Sequence, residues 1–137
     1  MFYEVEKMSH QVSYDELDSM LTFAMDYLEF DTDVPLMISF EVDNEQQSGF
    51  IDVDEDEILM NINPKLAGEE LVRTVFHELV HAKQIQSGQY DPNDSTWGGV
   101  MYTCDYWNLP WEKDAYQKEE DMFTKYLHLV SSFYRKG

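Results

Sequence analysis

Hydrophobic positions recur along this chain with two periods, and the switches between them mark out its elements. Ser13-Tyr14-Asp15-Glu16 has the form of a capping box, and Leu17, Met20, Leu21, Ala24, Tyr27 and Leu28 follow at helical spacing. The pattern predicts an amphipathic helix to about Phe30. Pro35 then starts a different rhythm: Ile38, Phe40 and Val42 alternate with Met37, Ser39 and Glu41, and Ile51 with Val53 and Ile58, Met60 and Ile62 continue it. Three short strands joined by polar turns are expected there.

Helical spacing returns with Leu71, Val72, Val75, Leu79 and Ala82. Asn63-Pro64 offers an N-cap and a first-turn proline, Glu69 and Glu70 suit a start nearer Gly68, and Gly88 can close the other end. A long loop is expected from Gly88 to Leu109, with Trp97-Gly98-Gly99 as a lid or plain surface, and a last helix from Pro110 to about Tyr134. With no repeat, low-complexity tract or linker, residues 1–137 read as one α+β domain: N-terminal helix, small three-stranded mainly antiparallel sheet, central helix and long supporting helix.

The central helix carries His77-Glu78-Leu79-Val80-His81, the H-E-x-x-H arrangement that binds zinc in metal-dependent peptidases. Imidazoles four residues apart share a helical face and can reach one ion, while a glutamate one step along is rotated by roughly 100° and stands beside it. The rival reading is a surface helix with two histidines in register. It fits poorly, because a buried apolar stripe adjoins the stripe of His77, His81 and Gln84.

A catalytic zinc site needs a third protein ligand and one open position. In Leu109-Pro110-Trp111-Glu112-Lys113-Asp114-Ala115-Tyr116, Pro110 suits a first helical turn, Glu112 falls near the helix start, and the small Ala115 lets two helices approach. Asp105, Asp114, Glu119 and His128 are the other candidates that spacing admits.

With H-E-x-x-H-x-x-Q at His77–Gln84 and E-x-x-A at Glu112–Ala115, the chain resembles the minimal zincin metallopeptidases of the Glu-zincin type. The resemblance runs from about Ile58 to Tyr116 and is closest to small one-domain metallopeptidases often encoded by tailed phages. It implies a Zn2+-dependent peptidase acting on a peptide or protein substrate, with His77, His81 and Glu112 on the metal and Glu78 as general base. A phenol is usually wanted for the oxyanion, and Tyr90, Tyr102, Tyr106 and Tyr116 are within sequence reach. Zincins also hold extended substrate along a strand edge beside the active-site helix.

Composition narrows the picture. At 137 residues, 43% hydrophobic and 15% aromatic, the chain can build a core without a metal staple, so metal is expected to serve chemistry. Its single cysteine, Cys104, excludes an intramolecular disulfide and suits a reducing compartment; a packed or idle thiol is expected, rather than one blocking the metal. Neither a secretory signal nor a membrane span is expected, which points to the cytoplasm, that of the host if a phage encodes it.

The Asp52–Glu57 acidic run lacks the glycine and the final glutamate of an EF-hand and reads as a solvated turn. Twenty-eight acidic against nine basic residues give a formal charge of -19, which repels phosphate backbones, so no nucleic-acid partner is expected. The same charge motivates an alternative from another class: an acidic DNA mimic that sequesters a basic partner, with a structural or vestigial zinc site.

Overall fold

The computed structural model describes residues 3–30, 34–53 and 56–135, with the backbone alone for 132–135. In chain order the elements are β1 (Tyr3–Lys7), α1 (Tyr14–Leu28), β2 (Leu36–Ser39), β3 (Gly49–Val53), β4 (Ile58–Ile62) and α2 (Gly68–Gln86). Then come β5 (Tyr90–Asp91), β6 (Thr96–Trp97), β7 (Val100–Met101), a 3-10 turn (Tyr106–Asn108) and α3 (Pro110–Arg135). The class is α+β. No helix among the described residues is long and apolar enough to cross a membrane.

Ser13 caps α1 as expected, its Oγ accepting the Glu16 amide at 3.1 Å, while Glu16 Oε1 accepts from the Ser13 hydroxyl at 3.1 Å instead of from its backbone amide. The helix buries Leu17, Met20, Leu21, Ala24 and Leu28 and ends at Glu29, whose φ of 52° lies in the left-handed region. Burying each of the larger of these side chains contributes roughly 1.5–3 kcal/mol, against about 1 kcal/mol for the cap.

The sheet corrects the expectation of three mainly antiparallel strands preceded by a helix. It has four strands in the order β1-β2-β4-β3, mixed in direction: β1 with β2 and β2 with β4 are parallel, and only β3 with β4 is antiparallel. The extra strand is β1, ahead of α1. The physical reason for the parallel pairing is that α1 carries the chain back, so β2 runs in the direction of β1. β4, by contrast, runs opposite to β3, the strand just before it in the chain; two of the Asp52–Glu57 run, 54 and 55, lie outside the described residues.

Leu36, Ile38, Ile58, Met60 and Ile62 are buried, whereas Met37, Leu59 and Asn61 between them are only half-buried. One face of the sheet therefore packs on the helices, where Phe23, Phe76 and Tyr126 cluster with centroids 5.5–5.6 Å apart. Tyr126 also donates to Ser19 Oγ at 3.1 Å, tying α3 to α1.

Two local details differ from expectation. Asn63 does not cap α2: its amide donates to the carbonyls of Glu45 (3.0 Å) and Gln47 (2.9 Å), pinning the segment before β3, and α2 starts at Gly68 after Ala67. Glu69 and Glu70 occupy the first turn, where carboxylates favour the helix dipole. The long loop has structure of its own, the antiparallel order β5-β6-β7. Gly98 (φ 57°) and Gly99 (φ 83°) both take the positive φ that a two-residue type I′ hairpin turn requires, and so form the β6-β7 turn.

Ala115 is fully buried, on the helix that packs most extensively against α2. Ala115→Leu is expected to push α3 away and cost about 1–3 kcal/mol of stability, read as a lower urea midpoint at unchanged slope. A variant as stable as the parent would show that the close approach is not needed.

Candidate metal centre

α2 presents His77 and His81 one turn apart, their rings edge to face at a centroid distance of 4.7 Å. α3 brings the third group. Its first turn follows Leu109, whose carbonyl accepts from the amides of Glu112 (3.1 Å) and Lys113 (3.0 Å), and Glu112 then faces α2. Glu112 Oε1 lies 3.0 Å from His77 Nε2 and 3.0 Å from His81 Nε2, and the two Nε2 atoms are 3.2 Å apart. These three groups are near enough together to hold a metal ion.

The far side of each ring decides what the near side can do. His77 Nδ1 is 3.0 Å from Glu119 Oε1, and His81 Nδ1 is 2.8 Å from Gln84 Oε1. The orientation of Gln84 follows from its Nε2, which donates to Trp111 O at 3.0 Å and Asp114 Oδ2 at 2.9 Å, leaving Oε1 as an acceptor. Both Nδ1 atoms therefore carry the proton and donate it outward. In neutral rings both Nε2 lone pairs then converge with a carboxylate oxygen, the donor set and outer hydrogen bonding of a metal site. The spacing fits: bonds of about 2.0–2.1 Å at tetrahedral angles put ligand atoms about 3.3 Å apart.

Electrostatics agree. Burial raises Glu112, but where the rings are protonated their Nε2 atoms donate to it, and these bonds outweigh burial and hold its carboxyl down at about 2. Burial lowers His77, yet Glu112 and Glu119 push it up to about 9, so this pocket favours positive charge on its imidazole side. Glu119 is itself held by Arg73 Nη1 at 3.4 Å, and Arg73 pairs also with Glu120 at 2.6 Å and Glu69 at 3.1 Å.

Glu78 lies beside this point. It is 8% exposed, and its Oε2 is buried without a hydrogen-bond partner among the described residues. Burial raises its carboxyl above the usual range, opposed by the two histidines. Gly49 of β3 makes room for it: a Cβ there would come within 3.0 Å of Glu78 Cγ and 3.2 Å of Thr74 Cγ2. A cavity of about 830 Å³ opens over these groups, walled by β3, α2 and the start of α3.

The other candidates fall elsewhere. Asp114 binds Gln84 and Lys118, Glu119 sits behind His77, Asp105 accepts from Asn108, and His128 is exposed further along α3. Of the four tyrosines, Tyr90, Tyr106 and Tyr116 line the cavity, while Tyr102 packs edge-on against Trp111. Tyr106 donates to Glu112 Oε1 at 3.2 Å and shares a hydrogen bond with Tyr116 at 3.1 Å; burial, Tyr116 and the Glu112 charge all raise its phenol. Cys104 is exposed rather than packed, and is not among the residues lining the cavity.

Sequence reasoning gave no outer role to Glu119 or Arg73 and did not notice Gly49. Glu119 lies two turns after Glu112 on the same face, a spacing that marks it. Nothing local marks Gly49, whose partner is distant in sequence. Comparison with protein-family models, with curated proteins and with solved structures returns no match to this chain.

Replacing Gln84 with Leu leaves the His81 Nδ1 proton without an acceptor. Affinity for a divalent metal, measured by competition with a chromogenic chelator, is expected to fall about 10–100-fold. Unchanged affinity would mean that the Gln84 contact does not orient the ring.

Proposed function

We propose that this protein is a zinc-dependent peptidase of the minimal zincin type. The observation that carries the reading is the convergence of two imidazole Nε2 atoms and one carboxylate oxygen beside a buried glutamate with an unpartnered oxygen. Two imidazoles and a carboxylate match a catalytic zinc set with an open position, and fit Zn2+ better than hard, all-oxygen Mg2+ or Ca2+ sites.

Zinc bound there supplies Lewis-acid polarisation of water and of the scissile carbonyl. The chain's own groups do the rest. Glu78 Oε2, raised by burial and with no competing hydrogen bond, takes the proton of the attacking water and hands it to the leaving amine. Tyr106 remains a protonated phenol, and its O–H, given to Glu112 Oε1 in this structure, can turn from there to the developing oxyanion. β3 is the edge strand beside α2. It is antiparallel to β4, pairs with no strand on its other side among the described residues, and lines the cavity, so an extended peptide can add to it.

Protein purified without chelator is expected to carry one zinc per chain by elemental analysis, and His81→Ala to lose it. Absence of metal at neutral pH would sink the site. Chelation is expected to leave the far-UV circular dichroism intact, because none of the ligands belongs to the hydrophobic core cluster. Collapse of the signal would make the metal structural instead.

Glu78→Gln is expected to retain zinc and lose peptide cleavage, since the amide keeps the shape but cannot accept the water proton. Cleavage at the parental rate would refute the mechanism. The -19 charge keeps the acidic-decoy reading as the rival. A decoy needs no turnover, so it is favoured only by a parent that cleaves nothing yet captures a basic partner steeply weakened by salt.

A further inference from the structure

The cavity over the metal centre has a polarity of its own. Arg73 is the one Lys or Arg side chain lining it among the described residues, and three glutamates already hold it. Asp52 of β3 and Glu70 in the first turn of α2 line the same cavity, are exposed, and enter no ion pair among the described residues. The free charge in the cleft is therefore negative, within a chain of formal charge -19.

Three aromatic residues line the same cavity. Phe50, 48% exposed, shares with Asp52 the face of β3 opposite Gly49 and Ile51, and Tyr106 and Tyr116 stand by the metal centre. Carboxylates alongside exposed aromatic rings are the chemistry that recognises Lys and Arg, by ion pairing and cation–π contact. The unpartnered, nine-tenths-buried Glu78 marks where the peptide bond must lie.

We infer that the cleft selects basic peptides, with Lys or Arg side chains flanking the scissile bond held by Asp52 and Glu70. This deepens the peptidase reading and rests on it for the position of the scissile bond. A peptide added to β3 presents side chains to the two faces alternately, so every second residue can meet the Phe50 and Asp52 face. The negative field of the whole chain raises the encounter rate of such peptides.

The test uses zinc-loaded Glu78→Gln protein and fluorescein-labelled peptides of one central sequence flanked by Lys and Arg, by Gln, or by Glu. Fluorescence anisotropy at about 0.15 M salt is expected to show the basic peptide binding about tenfold more tightly than the Gln version. Asp52→Lys with Glu70→Lys should abolish that preference, and the milder Asp52→Asn with Glu70→Gln should reduce it. Glu4→Lys with Glu6→Lys, the same change of net charge on β1 at the opposite edge of the sheet, should largely preserve it.

Equal binding of basic and neutral peptides would overturn the inference. So would equal loss in the two lysine variants, which would assign the preference to bulk charge. Parental cleavage separates the two readings. A parent that cleaves basic and neutral peptides alike upholds the peptidase and refutes the cleft selectivity. A parent that cleaves nothing, while the variants behave as expected, removes the peptidase and leaves a basic-peptide cleft.

Discussion

The site depends on one constraint, the approach of α3 to α2 that sets Glu112 Oε1 within 3.0 Å of two imidazole nitrogens. Neither helix could hold this arrangement alone. α2 supplies the rings at a spacing its own pitch dictates, but their rotation is settled from α3: Glu119 receives the His77 proton, and Trp111 and Asp114 orient the amide that receives the proton of His81. One helix thus contributes both a candidate ligand and the outer contacts that aim the other two candidates. A shift of α3 would move all of them together, so the packing at Ala115 bears on the chemistry directly.

Charge balance leads to the same place by another route. Glu78, Glu112 and Glu119 are all at least nine-tenths buried, and burying an uncompensated carboxylate costs several kcal/mol. The guanidinium of Arg73 answers Glu119, and hydrogen bonds from the imidazoles answer part of Glu112. Arg73 is the one permanent cation against these three buried carboxylates; protonated His77 answers part of the remainder, a role that a divalent ion bound between Glu112 and the histidines would take over. A buried acidic cluster of this kind adds little stability compared with an apolar core, and the hydrophobic cluster across α1, α2 and the sheet is what holds the chain together.

How much could be read beforehand follows from what local sequence encodes. The helix cap at Ser13, the apolar stripe of α2, Pro110 at the head of α3 and the His77–Glu78–His81 set are each written within a few residues, and each occurs where the pattern placed it. The neighbours of Glu112 were legible only as a short motif, yet the geometry separates it from Asp105, Asp114, Glu119 and His128. Strand direction was not legible, because a period of two is the same for parallel and antiparallel pairs. β1 escaped notice for a related reason: as an edge strand it shows only Tyr3 and Val5 half-buried between exposed Glu4 and Glu6, too little alternation to stand out. The small sheet within the Gly88–Leu109 loop has two-residue strands, below the length at which any period can be recognised.

Sheet topology explains why the cleft lies where it does. The parallel pairings leave β1 at one edge, and the reversal after β3 places that strand at the other, against α2. An exposed strand edge invites unwanted pairing, which proteins commonly resist with charge. On β3 the exposed charge is Asp52, on the face opposite Gly49, and the cavity wall across from the strand is a helix instead of another strand. The absence of a side chain at Gly49 lets the strand close on Glu78, with Glu78 Cγ only 3.0 Å from where a Cβ would stand. The unpaired backbone, the buried carboxylate and the converging ligand atoms therefore line one cavity because a single reversal of the chain and a single missing side chain bring β3 onto α2.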